Sequence, residues 1–395
     1  MPRRLDAPLL LAHSSHPLMI YADYNATTPC DRQIAERMLE VHCDSFANPS
    51  NRTSLAGRNA RGLIDTARQQ LATAVGAHPD EFIFTSGATE ASNTIIYGVM
   101  QRLMATRPRI LLSSIEHPAV QMPVDYCVQS GAEGLSIKGD RQGRLDLAQL
   151  QQALSEKPTA LVCVMAANNE TGVLQDIPEV VRISHAAGAL VFSDMTQLLG
   201  KAPIDLHHSG VDFACFSAHK CYGPKGVGAF YKRRGLALSP LLRGGGQEAG
   251  LRSGTENVAG IMGFGMAADL ASREGQQRQS HLRGLTELLE NQLRSQLPGV
   301  IIHSSEAERM PGTSMCSLPG LRGKWLSQLP GIIASSGSAC ASLQGKASHV
   351  LLEMGVDEKT ALHSVRISLG KSTTEAEVHK IAAQMCAGAQ KLLQS

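Results

Sequence analysis

The chain has 395 residues, and its 37 Lys and Arg against 35 Asp and Glu give a formal net charge of +2. This near balance excludes, by bulk charge, a strongly basic nucleic-acid binder or a protein with an acidic tail, and we expect no direct nucleic-acid binding. Hydrophobic residues make up 43% of the chain and charged residues 18%, which is a globular composition with material for two to three domains of about 150 residues.

The N-terminal segment 1–18 precedes the first strand-like run. Its apolar stretch Ala7–Ala12 spans six residues, which is shorter than the roughly 7–15 residues of a signal-peptide core. We expect residues 1–18 to be a disordered extension or the result of an early start codon, because Met19 stands directly before that run. No apolar run reaches the roughly 18 residues of a membrane span, so we expect no membrane association.

Helical and strand-like patterns alternate from about residue 60 to residue 235. A helix is predicted in LIDTARQQLATAVG, which ends at Gly76, and another in IPEVVRISHAAG. Buried strands are predicted in EFIFTSG, RILLSS, ALVCVMAANN, ALVFSD, VDFACFSAHK and VGAFYK. Short apolar strands that alternate with helices predict an α/β domain with a mostly parallel sheet.

The pattern of the C-terminal third of the chain predicts a second structural domain. A long polar-faced helix is predicted from roughly 270 to 297, and an amphipathic helix from Thr374 to Leu393 closes the chain. We therefore predict a domain boundary near 265–270.

The nine cysteines form no C-x-x-C pair, which argues against a zinc ribbon or a thioredoxin motif, and no metal site is expected. Several of them, such as Cys163 and Cys215, lie in apolar runs and are predicted to be buried. This usage of cysteine predicts the reducing cytoplasm as the compartment.

Small polar clusters follow the predicted strands. They are Thr85–Thr89, Ser113–His117, Asn168–Thr171, Ser193–Gln197 and Ser217–Lys220. Ligands of open α/β sheets bind outside the carboxyl ends of the strands. Five such clusters at one edge of a sheet therefore predict a single polar pocket.

The cluster TSGATE, residues 85–90, stands between a predicted strand and a predicted helix. Backbone N–H groups and the Thr89 hydroxyl at a helix N-terminus suit a phosphate group, and an ordinary helix cap is the alternative. No G-x-x-x-x-G-K-[ST] loop occurs in the chain, which counts against an NTPase.

The cluster SAHK places Lys220 at the end of an apolar strand, and Asp194 ends the preceding strand. A desolvated lysine amine can form a Schiff base, and an acid at that place can hold a protonated heterocyclic nitrogen. This pair is what pyridoxal phosphate requires, whereas a buried Asp–Lys ion pair is the structural alternative.

Cys340 lies in SSGSACAS, a run of small residues that predicts an exposed loop. An exposed thiol can react, and a passive surface cysteine is the alternative.

These motifs resemble those of the NifS/IscS-type cysteine desulfurases, which are fold-type I pyridoxal phosphate enzymes of the class V aminotransferase group. The resemblance runs in order from about Met19 to the last helix. Its motifs are YADYNATTP (21–29), FTSGATE (84–90), EHPAV (116–120), ANNETG (167–172), SDMTQ (193–197), SAHKCYGPKG (217–226), RSGTEN (252–257), ASSGSACAS (334–342) and SVRISLG (364–370). Nine motifs in one order argue against coincidence.

The resemblance implies a fold-type I architecture with a large domain on a mostly parallel sheet and a smaller α+β domain. Residues 34–267 would form the large cofactor-binding domain, and residues 19–33 and 268–395 the small domain that carries the loop with Cys340. It also implies a homodimer with shared active sites.

The resemblance implies pyridoxal 5'-phosphate as the cofactor and a role for each matching residue. Lys220 would be the Schiff-base lysine and the proton shuttle, while His117 would stack on the ring and assist proton transfer. Asp194 would bind the pyridinium nitrogen and Gln197 the phenolic oxygen. The remaining cofactor-binding residues would be Ala88 and the phosphate-binding Thr89, Ser217, His219 and Thr255 of the partner subunit.

The implied reaction removes sulfur from L-cysteine and releases L-alanine. Asn169 and Arg366 would orient the substrate, with Arg366 gripping its carboxylate by a bidentate pair. Cys340 would take the sulfur as a persulfide and pass it to an acceptor protein. The product could serve iron–sulfur clusters, thiolated nucleic acid including DNA phosphorothioation, or other sulfur compounds.

The chain departs from the family pattern at a few positions. Met195 stands where the family usually has Ala, and we expect it to alter the ring tilt or the pocket volume; Ala218 replaces a common Gly. Seven residues separate Cys340 from Ser348, which resembles the longer-loop group I enzymes. Because the chain stops at Ser395 without a longer tail, we expect a partner other than the general iron–sulfur scaffold, or a weaker affinity for that scaffold.

Two other classes of function stay open at this point. A selenocysteine lyase or another class V aminotransferase would share the cofactor site, although a plain aminotransferase does not need the cysteine in the small-residue loop. A catalytically silent sulfur-carrying or scaffolding protein would keep the fold, and loss of Lys220 or Cys340 would have indicated it. Both residues are present.

Overall fold

The structure, a computed structural model, describes residues 19–321, 324–336 and 346–394, so the segment 1–18 and Cys340 lie outside the described residues. The first elements in chain order are β1 (Ile20–Tyr21), α1 (Arg32–Asp44), α2 (Leu55–Ala74), β2 (Phe82–Thr85), α3 (Ala88–Leu103), β3 (Arg109–Ser113), α4 (Pro118–Gln129), β4 (Glu133–Ile137), α5 (Leu147–Glu156), β5 (Thr159–Cys163) and α6 (Ile177–Ala186). They are followed by β6 (Leu190–Asp194), α7 (Leu206–Ser209), β7 (Phe213–Ser217) and β8 (Gly228–Lys232).

The C-terminal part contains a long helix and two small sheets. Its elements are α8 (Val258–Gln296), β9 (Ile301–Ile302), β10 (Thr313–Ser317), β11 (Ile332–Ile333), α9 (His349–Glu353), α10 (Glu358–Leu362), β12 (Val365–Ser368) and α11 (Glu375–Gln394). None of the helices within the described ranges is both long enough and apolar enough to cross a membrane.

Seven strands form the central sheet in the order β2-β8-β7-β6-β5-β3-β4. The pairs β3–β4, β3–β5, β5–β6 and β6–β7 are parallel, whereas β8 runs antiparallel to β2 and β7. The predicted mostly parallel sheet is confirmed. Strands β3, β5 and β7 are buried along their whole length, which is typical of parallel strands covered on both faces.

Strand β4 has no counterpart among the predicted strands. Its sequence EGLSI is exposed at every position except Ile137, so it lacks the apolar run that marks the other strands. Pairing with β3 at the edge of the sheet makes it a strand. This is a case in which the partner, and not the local sequence, decides the structure.

The predicted helix that ends at Gly76 is α2, which begins earlier, at Leu55. The Ser54 side chain accepts a hydrogen bond from the backbone N–H of Gly57 at 3.0 Å and so caps the helix. Gly76 follows the C-terminal end with a φ of +64°, a left-handed conformation that favours glycine.

Helix α8 passes through the predicted domain boundary without a break. Its first half contributes Ile261 and Phe264 to the hydrophobic core under the large sheet, and its second half contributes Leu285 and Leu289 to a separate core with α11. The helix begins at Val258 rather than near 270 because its small and apolar residues pack against α2. The division at residue 267 stays a prediction.

The small sheets bring the two ends of the chain together. Strand β10 pairs antiparallel with β9 and β12, and β1 pairs parallel with β11. A further bridge joins Asp23 to Ser368, at the end of β12. Residues 23–26 are thereby held beside Arg366, next to the carboxyl ends of the large sheet.

Candidate active site

A cavity of about 490 Å³ lies at the carboxyl ends of the strands of the large sheet. All five polar clusters contribute to its walls: Ser86–Glu90 after β2, His117 after β3, Asn169 after β5, Asp194, Thr196 and Gln197 at the end of β6, and Ser217, His219 and Lys220 at the end of β7. Arg366 from β12 and residues 25–27 complete the lining. Parallel strands end at one edge, which brings clusters distant in the chain into one pocket.

The start of α3 lies in the cavity wall at Ala88 and Thr89. Gly87 precedes this 16-residue helix, and no side chain caps its first N–H groups. Free N–H groups and the positive end of the helix dipole suit an anion such as a phosphate. An ordinary side-chain cap, the alternative for this cluster, is therefore absent from α3.

Ser217 and His219 line the same cavity on the turn that follows β7. The His219 Nδ1 lies 3.0 Å from the Thr27 hydroxyl. Burial, together with the charges of Lys220 and Lys225, lowers the pKa of His219 to about 4, so the imidazole is neutral at pH 7. Its second ring nitrogen is available for a polar group in the cavity.

Lys220 ends a single 3₁₀ turn, Ala218–Lys220, directly after β7. Its Nζ donates hydrogen bonds to the backbone carbonyls of Asn25 at 2.6 Å and Ala26 at 2.9 Å. Burial, and then the charge of Arg366, lowers its pKa to about 8, while Asp194 opposes this shift. Among the described residues, Lys220 has no carboxylate partner at ion-pair distance, so the alternative of an Asp194–Lys220 ion pair is wrong.

Asp194 ends β6 and is 9% exposed. One of its carboxylate oxygens accepts a hydrogen bond from the Thr196 N–H at 2.9 Å. In the part of the chain that the structure describes, no Lys, Arg or His side chain pairs with it. A buried carboxylate without a cation is costly, and the protonated ring nitrogen of a pyridoxal cofactor would supply one. The residues present therefore fit this cofactor.

His117 is the N-cap of α4. Its Nδ1 accepts a hydrogen bond from the Ala119 N–H at 3.0 Å, so Nδ1 is the unprotonated nitrogen and Nε2 carries the proton. Burial lowers the pKa of His117, and the charge of Asp194 opposes this shift. The residue is thus a neutral imidazole with Nε2 left for a ligand.

Arg366 lies in the middle of the site and is 1% exposed. Its Nη1 donates to the Asn169 carbonyl at 2.9 Å, and its Nη2 donates to the Asp23 carboxylate at 2.6 Å. Each Nη carries a second proton, and Nε has no partner within the described residues. The guanidinium is therefore fixed and still able to bind a carboxylate.

Three residues of the site were not predicted from the sequence. Asn25 accepts at its backbone carbonyl from Lys220 and also from the Gln197 Nε2, at 3.0 Å. Lys201 donates to Gln197, and Asp23 holds Arg366. The motif YADYNATTP contains Asp23 and Asn25, and it was the available signal.

Two predicted positions lie away from the cavity. Thr255 is exposed and outside the lining, in the loop after Arg252, whose guanidinium pairs with Glu90 at 2.9 Å. Met195 is buried in the core under the large sheet and does not line the cavity. Met195 therefore does not form part of the cavity surface, and an effect of it on the ring tilt or the pocket volume stays a prediction.

The described residues on either side of the segment 337–345, which carries Cys340, contact the site. Ser335 exchanges two backbone hydrogen bonds with Arg366, at 3.3 and 2.6 Å. Ser348 donates to the buried carboxylate of Glu170, and the His349 Nε2 lies 3.0 Å from the Glu116 carbonyl. One end of this segment is thus attached to Arg366, which lines the cavity, and the other end to Glu116 and Glu170, which are the chain neighbours of the lining residues His117 and Asn169.

Comparison with known proteins agrees with this geometry. Residues 20–381 match the family described as aminotransferase class-V. A cysteine desulfurase IscS of Anaeromyxobacter sp. (strain Fw109-5) is 41% identical over 365 residues, which are 92% of this chain and 90% of that protein. The chain therefore belongs to the class-V aminotransferase family of fold-type I enzymes.

Within that family, the chain belongs to the cysteine desulfurases of the NifS/IscS type. The solved structure of a NifS-like protein superposes with a TM-score of 0.87 at 36% identity and covers 95% of this chain and 100% of its own. A second structure, SspA in complex with cysteine, has a TM-score of 0.78 at 28% identity and covers 90% of this chain and 100% of its own. The predicted family and fold are confirmed.

Proposed function

We propose that this cysteine desulfurase uses pyridoxal 5'-phosphate to remove sulfur from L-cysteine, with transfer of the sulfur to Cys340. The observation that carries the proposal is the cavity in which the lysine amine of Lys220 and the unpaired carboxylate of Asp194 lie beside the uncapped start of α3. The solved SspA–cysteine complex, from a similar protein, supports the choice of substrate.

The cofactor would be held by residues that already line the cavity. Asp194 would bind the ring nitrogen, Gln197 the phenolic oxygen, and His117 would stack on the ring. The residues proposed for the phosphate end are Ala88, Thr89, Ser217 and His219, with Thr255 of the partner subunit. When bound, the cofactor supplies an electron sink that makes the proton on the substrate α-carbon acidic.

The protein's own groups move the protons. The amine of Lys220 has a pKa of about 8, so a substantial fraction is neutral near pH 7–8 and can accept a proton. The Nε2 of His117 holds a proton that it can share with a ligand. Arg366 would bind the substrate carboxylate through its free Nη protons, with Asn169 beside it.

Cys340 would be the nucleophile of the sulfur transfer. Its thiolate would attack the substrate sulfur, an S–S bond would form, and the substrate C–S bond would break with its electron pair left on carbon, where the electron sink that the bound cofactor would supply stabilises it. Protonation of that carbon gives L-alanine, and Cys340 keeps the sulfur as a persulfide. A thiol of an acceptor protein would then remove it.

The test is an assay that measures two products from L-cysteine with the cofactor-loaded protein. We expect L-alanine and a persulfide on Cys340 in equal amounts during the first turnover. The Cys340→Ser variant should bind the cofactor but form no persulfide, because a hydroxyl is a poor nucleophile toward sulfur. The matched control is Cys43→Ser, which changes an exposed cysteine on α1 and should transfer sulfur normally.

Other products would overturn the proposal. Transfer of the amino group instead of the sulfur would indicate a plain aminotransferase, and rapid turnover of selenocysteine without turnover of L-cysteine would indicate a selenocysteine lyase. Sulfur label on Cys43, with none on Cys340, would contradict the choice of nucleophile. A wild-type protein that binds no cofactor would favour the silent sulfur carrier.

We also propose a homodimer located in the cytoplasm. Support for the dimer comes from Thr255, which is exposed and outside the cavity lining of its own chain although its motif is a cofactor-binding one in the family. Support for the compartment comes from the free cysteines Cys30, Cys43, Cys127, Cys163, Cys215, Cys221, Cys316 and Cys386.

A further inference from the structure

Lys201 is a buried lysine next to the cavity that the proposed reaction does not use. It follows Gln197 by four residues and is 7% exposed. Its Nζ donates to two neutral oxygens, the Gln197 Oε1 at 2.9 Å and the Asn25 Oδ1 at 3.0 Å. Among the described residues, no carboxylate lies within ion-pair distance of this amine. A buried amine without a carboxylate partner lowers the stability of the fold.

The chemistry of the lysine settles the orientation of both amides. An ammonium group has donors and no acceptor, whereas a glutamine amide carries an oxygen at one position and an NH₂ group at the other. In its charged form, Lys201 can face only the oxygen of Gln197. The Asn25 carbonyl requires the same orientation, because it can only accept and the Gln197 Nε2 donates to it at 3.0 Å.

The hydrogen bonds of Asn25 support the same orientation independently. Its Nδ2 donates to the Asn169 carbonyl at 3.1 Å, and a backbone carbonyl can only accept. The Asn25 Oδ1 must therefore be the atom that faces Lys201. Two amides thus turn their oxygens toward one amine, and the orientation of neither is arbitrary.

Asn25 also links Lys201 to the reactive amine. The carbonyl of Asn25 accepts from the Lys220 Nζ at 2.6 Å and from the Gln197 Nε2, while its side chain is held by Lys201. Loss of Lys201 would leave Asn25 held through its Nδ2, which donates to the Asn169 carbonyl and to the Thr313 hydroxyl at 2.9 Å. It would remove the donor that holds the Gln197 Oε1 beside the cavity that Gln197 lines.

We infer that Lys201 is a positioning residue that fixes the amide of Gln197 so that an N–H donor, and not a carbonyl oxygen, is presented to an anionic oxygen of the ligand in the cavity. The inference rests on the proposed function, in which that oxygen is the phenolic oxygen of the cofactor. With Lys201 absent, Gln197 can turn its Oε1 toward this anion, where it repels instead of donating.

The experiment is a double-mutant cycle in the full-length protein with Lys201→Met and Gln197→Leu. Methionine has nearly the length of lysine but no donor, and leucine has no amide to orient. The readouts are the dissociation constant of pyridoxal 5'-phosphate and the midpoint pH of the colour change of the bound cofactor. The control is Lys371→Met, since Lys371 pairs with Asp31 at 2.6 Å outside the cavity.

We expect Lys201→Met to weaken cofactor binding about tenfold and to move the midpoint pH, with no such change in Lys371→Met. In the Gln197→Leu background, the Lys201 substitution should have no further effect, because the amide through which it acts is gone. If Lys201→Met does not fold, Lys201→Gln takes its place, since glutamine can accept as well as donate and no longer fixes Gln197.

Two results would overturn the inference while the proposed function stands. One is wild-type cofactor binding and midpoint pH in Lys201→Met. The other is an equal loss from Lys201→Met with and without Gln197, which would show that the lysine acts on the fold and not through the amide. A wild-type protein that binds no cofactor would overturn the proposed function and this inference with it.

Discussion

Two amines lie within hydrogen-bonding distance of Asn25, one at its carbonyl and one at its side chain. Burial lowers the pKa of Lys220 to about 8 and that of Lys201 to about 7, and the charge of Lys220 adds to the shift of Lys201. Lysines with lowered pKa are suited to proton transfer and nucleophilic attack. Burial is therefore the main cause of the lowered pKa of both lysines, Lys220 in the cavity and Lys201 beside it.

The first prediction concerns the amine of Lys220. Lys220→Ala should lower alanine formation from L-cysteine by at least about 10²-fold, because the proton acceptor is lost. Lys220→Arg should be equally inactive, since the guanidinium keeps the charge but stays protonated. Steady-state rates of the purified variants test this. Normal alanine release by Lys220→Ala without an added amine would contradict the assignment.

The second prediction concerns the pH dependence of stability. The pKa of Lys201 is about 7 in the folded chain against 10.5 for a free lysine. Between these values the unfolded chain binds the extra proton, so wild-type stability gains up to about 1.4 kcal/mol per pH unit from this residue as the pH rises. Below pH 7 Lys201 is charged in both the folded and the unfolded chain, so its full destabilisation of the folded chain is present.

Lys201→Met removes this contribution. Its stability relative to the wild type should therefore be greatest near pH 7 and should decline toward pH 10. Urea unfolding of both proteins at several pH values measures the difference. A difference that does not change with pH would show that Lys201 is already charged and solvated in the folded protein.

At the scale of elements, helix α8 needs close contact with α2. A Cβ placed on Gly265 would meet the Cα of Ala67 at 2.4 Å, which is too close for a backbone atom to accommodate. Gly284, on the same helix, has nothing within 4 Å of such a Cβ. The glycine at 265 thus sets the distance between two helices of the large core.

The third prediction uses this pair of glycines. Gly265→Ala should lower the free energy of unfolding by about 1–3 kcal/mol, because the two helices must move apart. Gly284→Ala should raise the free energy of unfolding by about 0.5–1 kcal/mol, because Gly284 is at an exposed helix position and alanine has a higher helix propensity than glycine. Chemical denaturation measures both. Equal effects of the two substitutions would contradict a role for close helix contact.

At the scale of the whole molecule, one chain supplies almost every residue proposed for its own site. The exception is Thr255, which is exposed and lies outside the cavity lining. The loop that carries it is tied to the start of α3 through the Arg252–Glu90 ion pair. In the proposed homodimer, Thr255 of the partner subunit would complete the phosphate site.

The fourth prediction follows from this arrangement. If the two subunits share their sites, dilution should release the cofactor and dissociate the dimer over the same concentration range. Thr255→Ala should weaken cofactor binding without changing the folding of the monomer. Sedimentation velocity with detection of cofactor absorbance tests both. A fully loaded monomer with wild-type affinity would contradict the shared site.

Six strands of the central sheet, the polar clusters at their ends and the family could be read from the residues alone. Buried strands are marked by apolar runs, and parallel strands end at one edge of the sheet. The proximity of Thr89, His117, Asp194 and Lys220 could therefore be predicted from the order of the strands and clusters along the chain.

Other features of the fold and the site depend on tertiary contacts. The contacts of Lys201 with Asn25, the inward packing of Met195, the edge strand β4 and the continuity of α8 all depend on neighbours that are distant in the chain. Local sequence carries no signal for such partners, because a side chain's environment exists only once the chain has folded.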